Sequence, residues 1–219
     1  MSRPRFVHLQ VHSEYSVVDG LIRIDDLVAR LAGTGMAAAA LTEQCNLFSL
    51  VKFYQAAERR GVKPIIGADL YLAPQAGVGR RTRITCLVEN LDGYRTLTRL
   101  LSRAYIEGSR EGQPEIAREW LQAANTGLIL LAGGREGDIG HLLLAGQMAE
   151  AERLAHAWQA DLGERFCLAI TRTGRAGEEE YLRAAVPLAA RLGIPLVATN
   201  DVRFLAAADF SAHEARVCI

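Results

Sequence analysis

The chain has 219 residues, half of them hydrophobic, with 25 basic and 25 acidic side chains and no formal net charge. That is enough for one sizeable core, and the charge balance argues against a free-standing nucleic-acid binder, which would be basic, though not against a neutral module of a larger DNA-handling protein. No apolar run is long enough to cross a membrane, and Met1-Ser2-Arg3-Pro4-Arg5 leads into a strand pattern rather than a signal peptide. Cys45, Cys86, Cys167 and Cys218 lie far apart with no C-x-x-C pair, so they read as reduced, mostly buried thiols of a cytoplasmic protein.

Strand-like and helix-like segments alternate along the chain. Phe6–His12 alternates apolar and polar residues as a strand would. Ile24, Leu27, Val28 and Leu31 have helical spacing, ended by Gly33 or Gly35. Ala37–Leu41 is a short buried strand, and Leu47–Arg60 is a helix stopped by Gly61. Lys63–Tyr71 and Thr82–Glu89 are strands, joined by a loop holding Gly77 and Gly79. Gly93–Tyr105 is helical, and Leu128–Leu131 is a strand ahead of Gly133-Gly134. Gly133–Asp138 lacks both the lysine of a phosphate loop and the G-x-G-x-x-G spacing, so it is a turn into a helix capped near Asp138. Met148–Leu162 and Glu178–Leu192 are helices, with Pro187 expected to kink the second. Phe166–Ile170 and Leu196–Thr199 complete seven strands, and Asp209–Ile219 has a helical pattern that stops without a cap, as in the front part of a longer chain.

Such alternation implies parallel strands joined by helical crossovers, as a doubly wound sheet or a small closed barrel, in a single domain over residues 1–219. Functional groups of such folds gather at the carboxyl ends of the strands. The polar residues there are His12 and Asp19, then Glu43 and Gln44, then Asp69, and finally Asn200, Asp201 and Arg203. Clusters of this kind build hydrolytic metal sites, whereas singly such residues are turn and cap formers. Gln10 stands two residues before His12, on the same strand face, where a second imidazole would complete a His-x-His metal pair. His8 is expected as a satisfied structural histidine. His141, His156 and His213 fall in helical segments. One imidazole with scattered carboxylates makes a poor zinc site and holds a hard ion such as magnesium only weakly. Arg80-Arg81-Thr82-Arg83 is a short basic loop, and Trp120 and Trp158 are core or groove residues.

Eight segments carry a family resemblance. They are FVHLQVHSEYSVVDG at residues 6–20, ALTEQCN at 40–46, LVKFY at 50–54, KPIIGAD at 63–69, LSRAY at 101–105, the stretch 127–134, ATNDVRF at 198–204 and HEARVCI at 213–219. Together they resemble the polymerase-and-histidinol-phosphatase (PHP) domain at the N-terminus of bacterial replicative DNA polymerase III alpha subunits, of the proteobacterial kind. The resemblance implies an α/β fold, a distorted seven-stranded (β/α)7 barrel of PHP type with a metal cleft at the strand ends. It also implies that the polymerase active site lies beyond Ile219, so that the parent chain is a nucleotidyltransferase and these residues alone extend no primer.

Measured against the ligands of metal-competent family members, the set here is degraded. His12, Asp19 and Asp201 match ligands, and Asp69 replaces a longer glutamate. Gln10, Gln44, Arg83 and Arg203 stand where the family has histidines, Gly134 where it has a cysteine, and Glu43 where it usually has an aspartate. No metal and no catalytic residue is therefore expected, with His12, Asp19, Asp69 and Asp201 the only weak candidates for magnesium or manganese. Asp19, Asp69 and Asp201 are expected to converge near Glu43, with Arg203, helped by Arg83, pairing with them in place of a metal. Two functions stay open. In one, the domain is a structural module that docks the proofreading exonuclease (epsilon) subunit, braces the rest of the polymerase chain and meets DNA only through that parent. In the other, it is a residual metal-dependent phosphoesterase, a 3′–5′ exonuclease or pyrophosphatase.

Overall fold

The computed structural model describes residues 6–74, 79–110 and 112–218; the opening Met1–Arg5, Gly77 of the anticipated loop and Ile219 lie outside the described residues. The elements, in chain order, are α1 (Ile24–Gly33), β1 (Ala38–Gln44), α2 (Leu50–Arg59), β2 (Lys63–Leu72), β3 (Thr82–Val88), α3 (Leu91–Ile106), β4 (Ser109–Arg110), β5 (Gln113–Pro114), α4 (Arg118–Ala123), β6 (Leu128–Ala132), α5 (Asp138–Leu144), α6 (Met148–Leu162), β7 (Phe166–Ile170), α7 (Glu178–Leu192), β8 (Leu196–Ala198) and α8 (Phe210–Val217). They fall into two compact units, Met1–Ala68 with Asn200–Ile219, and Asp69–Thr199, with β2 running from the first into the second.

In the first unit α1 buries Ile24, Leu27, Val28 and Leu31, the residues its spacing picks out. They pack with Val11, Leu41 and Phe53 into one apolar core. Lys63 N–H donates to Ala37 O, so β1 and β2 start side by side. The expected strand Phe6–His12 is not one. It makes isolated parallel bridges, His8 to Ala39 and Val11 to Val202. The reason lies in its partners. Ala40 and Thr42 donate to His8 O and Val11 O on one side, while Val202 donates to Gln10 O and His12 to Val202 O on the other. The segment is wedged between two neighbours and alternates between them, so no continuous ladder forms. β1 continues past the predicted Leu41 to Gln44. α2 starts at Leu50 rather than Leu47 because Asn46 shapes a turn before it, accepting Phe48 N–H and donating to Tyr15 O and Gln44 O.

In the second unit the strand order is β2-β3-β6-β7-β8. β6, β7 and β8 are parallel, but β3 and β6 are antiparallel, with Ile84 opposite Ala132 and Val88 opposite Leu128. This corrects the all-parallel expectation, and six strands rather than seven make the main sheet among the described residues. The reversal follows from where α3 begins. Asn90 caps α3 by accepting Gly93 N–H at 3.0 Å, and Glu89 N–H donates to Gly127 O. A Cβ on Gly93 would lie 1.8 Å from Gly127 O. The end of β3 is thus laced to the start of β6, which forces opposite directions. A small hairpin, β4 with β5, and the short helix α4 were not foreseen.

Trp158 is in the core as expected, stacked near Phe166 with ring centroids 6.1 Å apart. Asp138 is no cap. It is the first residue of α5, fully enclosed, and accepts Trp158 Nε1–H at 2.8 Å and Ile139 N–H at 2.7 Å. Burial pushes its carboxyl above the usual range against those hydrogen bonds. α7 runs unbroken through Pro187.

Glu178 organises the turn between β7 and α7. Its carboxylate accepts the backbone N–H of Thr173, Gly174 and Arg175 and the hydroxyls of Thr171 and Thr173, at 2.6–3.2 Å. Burial works to raise this carboxyl, but the Thr173, Gly174 and Thr171 donors outweigh it and hold it below the usual carboxylate range. A folded pKa below the unfolded one gives stability that is complete above the unfolded value and lost as pH falls through the folded one. The urea midpoint of Glu178→Gln should therefore lie below wild type at about pH 6 and approach it at about pH 3. An unchanged gap across that range would contradict this.

Candidate functional site

The strand-end residues of the first unit gather around two carboxylate centres. The first is Asp19. It sits in the turn after His12, where Gly20 approaches so closely that a Cβ would be 1.8 Å from Ser13 O. His12, 1 % exposed, donates Nδ1–H to Asp19 Oδ1 at 2.8 Å. Arg203 Nε–H donates to Asp19 Oδ2 at 2.7 Å, and Arg203 Nη2–H to Asp201 Oδ1 at 2.8 Å. The Arg203 side chain is 4 % exposed. One guanidinium fork thus holds two carboxylates, a geometry for which an ammonium has no equivalent. Burial works to raise the Asp19 carboxyl, and the hydrogen bond and charge of His12, with the charge of Arg203, overcome it and leave the pKa lowered. Leu21 N–H donates to Arg203 O at 3.1 Å, so the backbone is tied at the same point.

The second centre is Glu43, near the end of β1 and 1 % exposed. No arginine is needed to satisfy it. It accepts the Ser13 N–H at 3.1 Å, the Ser16 hydroxyl at 2.5 Å, the Ser49 hydroxyl at 2.8 Å and, in a very short bond, the Ser13 hydroxyl. The Ser16 hydroxyl in turn accepts Gln44 N–H at 2.9 Å. Glu43 therefore pins the 13–16 turn to the end of β1 and the start of α2. Sequence spacing gave no sign of this collar, because its hydroxyls come from two stretches more than thirty residues apart and follow no period. Gln10 is buried, and its backbone carbonyl accepts the Val202 N–H at 3.2 Å.

In the second unit, Asp69 on β2 is 1 % exposed and accepts the Thr85 hydroxyl of β3 at 2.5 Å. Arg83 Nη1 lies 3.7 Å from Asp69 Oδ2 and 3.6 Å from Glu136 Oε2. Arg83 is thus not part of a solvated basic loop but a half-enclosed ion-pair partner. Gly134 opens the 3-10 turn Gly134–Glu136 at φ +56°, and a Cβ on Gly140 would be 1.9 Å from Gly134 O. A side chain at position 134 would be strained by its backbone conformation.

The expected pairing of Arg203 and Arg83 with the strand-end aspartates is present. Arg203 holds Asp19 and Asp201 in the first unit, and Arg83 faces Asp69 in the second. Among the described residues no group of three or more His, Cys, Asp or Glu side chains is placed to hold a metal ion. His8 departs from expectation, since its buried Nδ1 has no hydrogen-bond partner and burial lowers its pKa.

Removing the Arg203 fork would leave two carboxylates uncompensated in an enclosed site. Arg203→Ala should cost about 3–5 kcal/mol in urea denaturation, as for other broken buried pairs. Arg203→Lys should recover only part of that loss. A change under about 1 kcal/mol, the value of an exposed pair, would show that the cluster is not enclosed.

Comparison with known proteins gives a consistent result. The family model described as PHP domain matches residues 8–173. The chain is 55 % identical over 214 residues to the DNA polymerase III subunit alpha of Pseudomonas fluorescens, a match covering 98 % of this chain and 18 % of that one. It is 48 % identical over 219 residues to the same subunit of Escherichia coli strain K12, covering 100 % of this chain and 19 % of that one. The chain thus spans about a fifth of the length of the curated relatives it matches. Among solved structures, it is similar in fold to an amidohydrolase from Chromobacterium violaceum with bound sulfate and no metal, with TM-score 0.62, 15 % identity and 96 % of each chain covered. No helix of the described residues is long and apolar enough to cross a membrane.

Proposed function

Because this chain belongs to the PHP-domain family, we propose that it serves as the N-terminal PHP domain of a replicative DNA polymerase III alpha subunit, in the form of a distorted (β/α)7 barrel. In this reading its metal chemistry has been given up, and it works in the cytoplasm as a structural module that docks the proofreading exonuclease (epsilon) subunit and braces the remainder of the polymerase. Its relatives support the placement, since alpha subunits of DNA polymerase III match the whole chain at up to 55 % identity.

The observation that carries the loss of metal is the Arg203 guanidinium between Asp19 and Asp201. A divalent cation needs free lone pairs, on carboxylate oxygens for magnesium or calcium and also on neutral imidazoles or thiolates for zinc. Here the donor set does not fit such an ion. Asp19 gives one oxygen to His12 and the other to Arg203, and Asp201 gives one to the same arginine. Asp69 is engaged by Thr85 and faces Arg83. A fixed positive charge on a former ligand position repels the incoming cation, and metal activation of water is then lost. The docking of the exonuclease rests on the family resemblance.

Two measurements test the proposal. The purified 1–219 segment should hydrolyse DNA with added manganese no faster than a buffer control; robust degradation that disappears in His12→Ala would favour a residual phosphoesterase. Titration of the purified exonuclease should give measurable affinity for the full polymerase chain and none for one lacking residues 1–219. Binding that survives the deletion would overturn the docking role.

A further inference from the structure

The turn between β7 and α7 holds more hydrogen-bond donors than the side chain inside it can use. Glu178 Oε2 accepts three successive backbone N–H groups, of Thr173 at 2.6 Å, Gly174 at 2.8 Å and Arg175 at 3.2 Å. Its Oε1 accepts the hydroxyls of Thr171 at 3.1 Å and Thr173 at 2.7 Å. An ionised carboxylate has about four lone-pair sites, roughly two on each oxygen. The five donors exceed that number, and three of them crowd one oxygen. A further donor stands beside them. β7 and β8 are parallel with Ile170 opposite Ala198. Thr199 N–H donates to Ile170 O at 2.9 Å, which carries the register one step further and sets Thr199 opposite Thr171. Residues opposite each other in neighbouring strands point to the same face of the sheet. The Thr199 hydroxyl is therefore on the side where the Thr171 hydroxyl meets Glu178. Thr199 is 2 % exposed, and its Oγ1 has no hydrogen-bond partner among the described residues. A buried polar group left unmatched costs stability, which marks the place as built for something more than Glu178.

Successive N–H groups that curve around one point form an anion cradle, the device of phosphate-binding loops. A phosphate group brings three acceptor oxygens where a carboxylate brings two, so it takes up the donors that Glu178 leaves over. The position suits a ligand. The turn lies at the carboxyl end of a parallel strand, where α/β folds bind theirs. Thr173, Gly174 and Arg175 are exposed, so the cradle opens to water. Its rim is close to neutral, with Arg172 and Arg175 in the turn and Glu179 and Glu180 in the first turn of α7. Arg172 Nε lies 2.6 Å from Glu179 Oε1. We propose that this turn is a binding site for a terminal phosphate group, and that Glu178 is its tethered occupant, closing the site until a phosphate displaces it. The tether gives the carboxylate a high effective concentration against a free anion, so the wild-type site binds phosphate weakly and releases it readily. None of these side chains belongs to the Asp19–Arg203 or Asp69–Arg83 clusters, and the site does not depend on the loss of metal there.

Amide hydrogen exchange of the full-length chain, read by mass spectrometry on the peptide covering residues 171–178, tests this with inorganic phosphate as the probe. The wild-type amides should be protected with or without phosphate. In Glu178→Ala they should exchange at least about tenfold faster, and phosphate should restore their protection where sodium chloride of equal ionic strength does not. Acetate, which has the two oxygens of the lost side chain, should restore clearly less. Adding Thr199→Val to Glu178→Ala should raise the phosphate needed for half-protection by at least about tenfold, the value of a hydrogen bond to a charged group. By calorimetry, wild type should bind phosphate at least about tenfold more weakly than Glu178→Ala, since it keeps the competitor. Methyl phosphate acting as well as inorganic phosphate would assign the site to monoesters, and inorganic phosphate acting alone to the free ion; both support a phosphate cradle. No phosphate protection in Glu178→Ala, equal protection by acetate, or no effect of Thr199→Val would each overturn the proposal. Should Glu178→Ala lose protection throughout β7 and α7, Glu178→Asp, one methylene shorter, carries the same comparison of phosphate with acetate and chloride.

Discussion

The buried guanidinium of Arg203 holds the carboxylates of Asp19 and Asp201 together in one enclosed cluster. Two carboxylates in a site of low dielectric raise each other's pKa and push their backbones apart unless a cation lies between them. Arg203 supplies that cation permanently, at 2.7 and 2.8 Å, with its own side chain almost wholly enclosed. The backbone around it follows. Arg203 O receives Leu21 N–H, Val202 exchanges hydrogen bonds with Gln10 and His12, and Gly20 lies against Ser13 with no room for a Cβ. The first segment of the chain and residues 200–203 are therefore one laced structure, tied by ion pairs as well as by backbone hydrogen bonds.

Glu43 shows another solution to the same electrostatic problem. Its carboxylate is as deeply buried as Asp69, but it is met by serine hydroxyls and one amide rather than by an arginine. Neutral donors of this kind satisfy a carboxylate without adding a second charge to desolvate. They also couple three elements that are otherwise linked only by sequence: the 13–16 turn, the end of β1 and the residue before α2. Buried carboxylates thus serve as internal cross-links by two routes, fixed cations at Asp19 and Asp69 and a hydroxyl collar at Glu43.

The sequence was most informative where a local rule acts. The apolar spacing of α1, the strand run of β7 and the long helices α6 and α7 were found within a residue or two because packing agrees with their period. The Arg203 pairing was legible because a cation beside strand-end aspartates has carboxylates within reach. Long-range pairing was not legible. Phe6–His12 has strand periodicity but lies between two partners, and the antiparallel β3–β6 pair depends on the Gly93–Gly127 contact, which no window of sequence reveals. Asp138 has the sequence of a cap, yet its partner is Trp158 on the next helix. His213 and Arg216 looked like ordinary helix residues, because their acceptors are backbone carbonyls almost two hundred positions earlier.

A guanidinium differs from a divalent ion in one decisive respect: it cannot leave. The most direct measurement is therefore elemental analysis of the purified 1–219 segment after exposure to zinc and manganese and removal of free metal. With Arg203 and Arg83 fixed on their carboxylates, far less than one transition-metal ion per chain should remain. Close to one or more tightly held ions per chain would contradict the account.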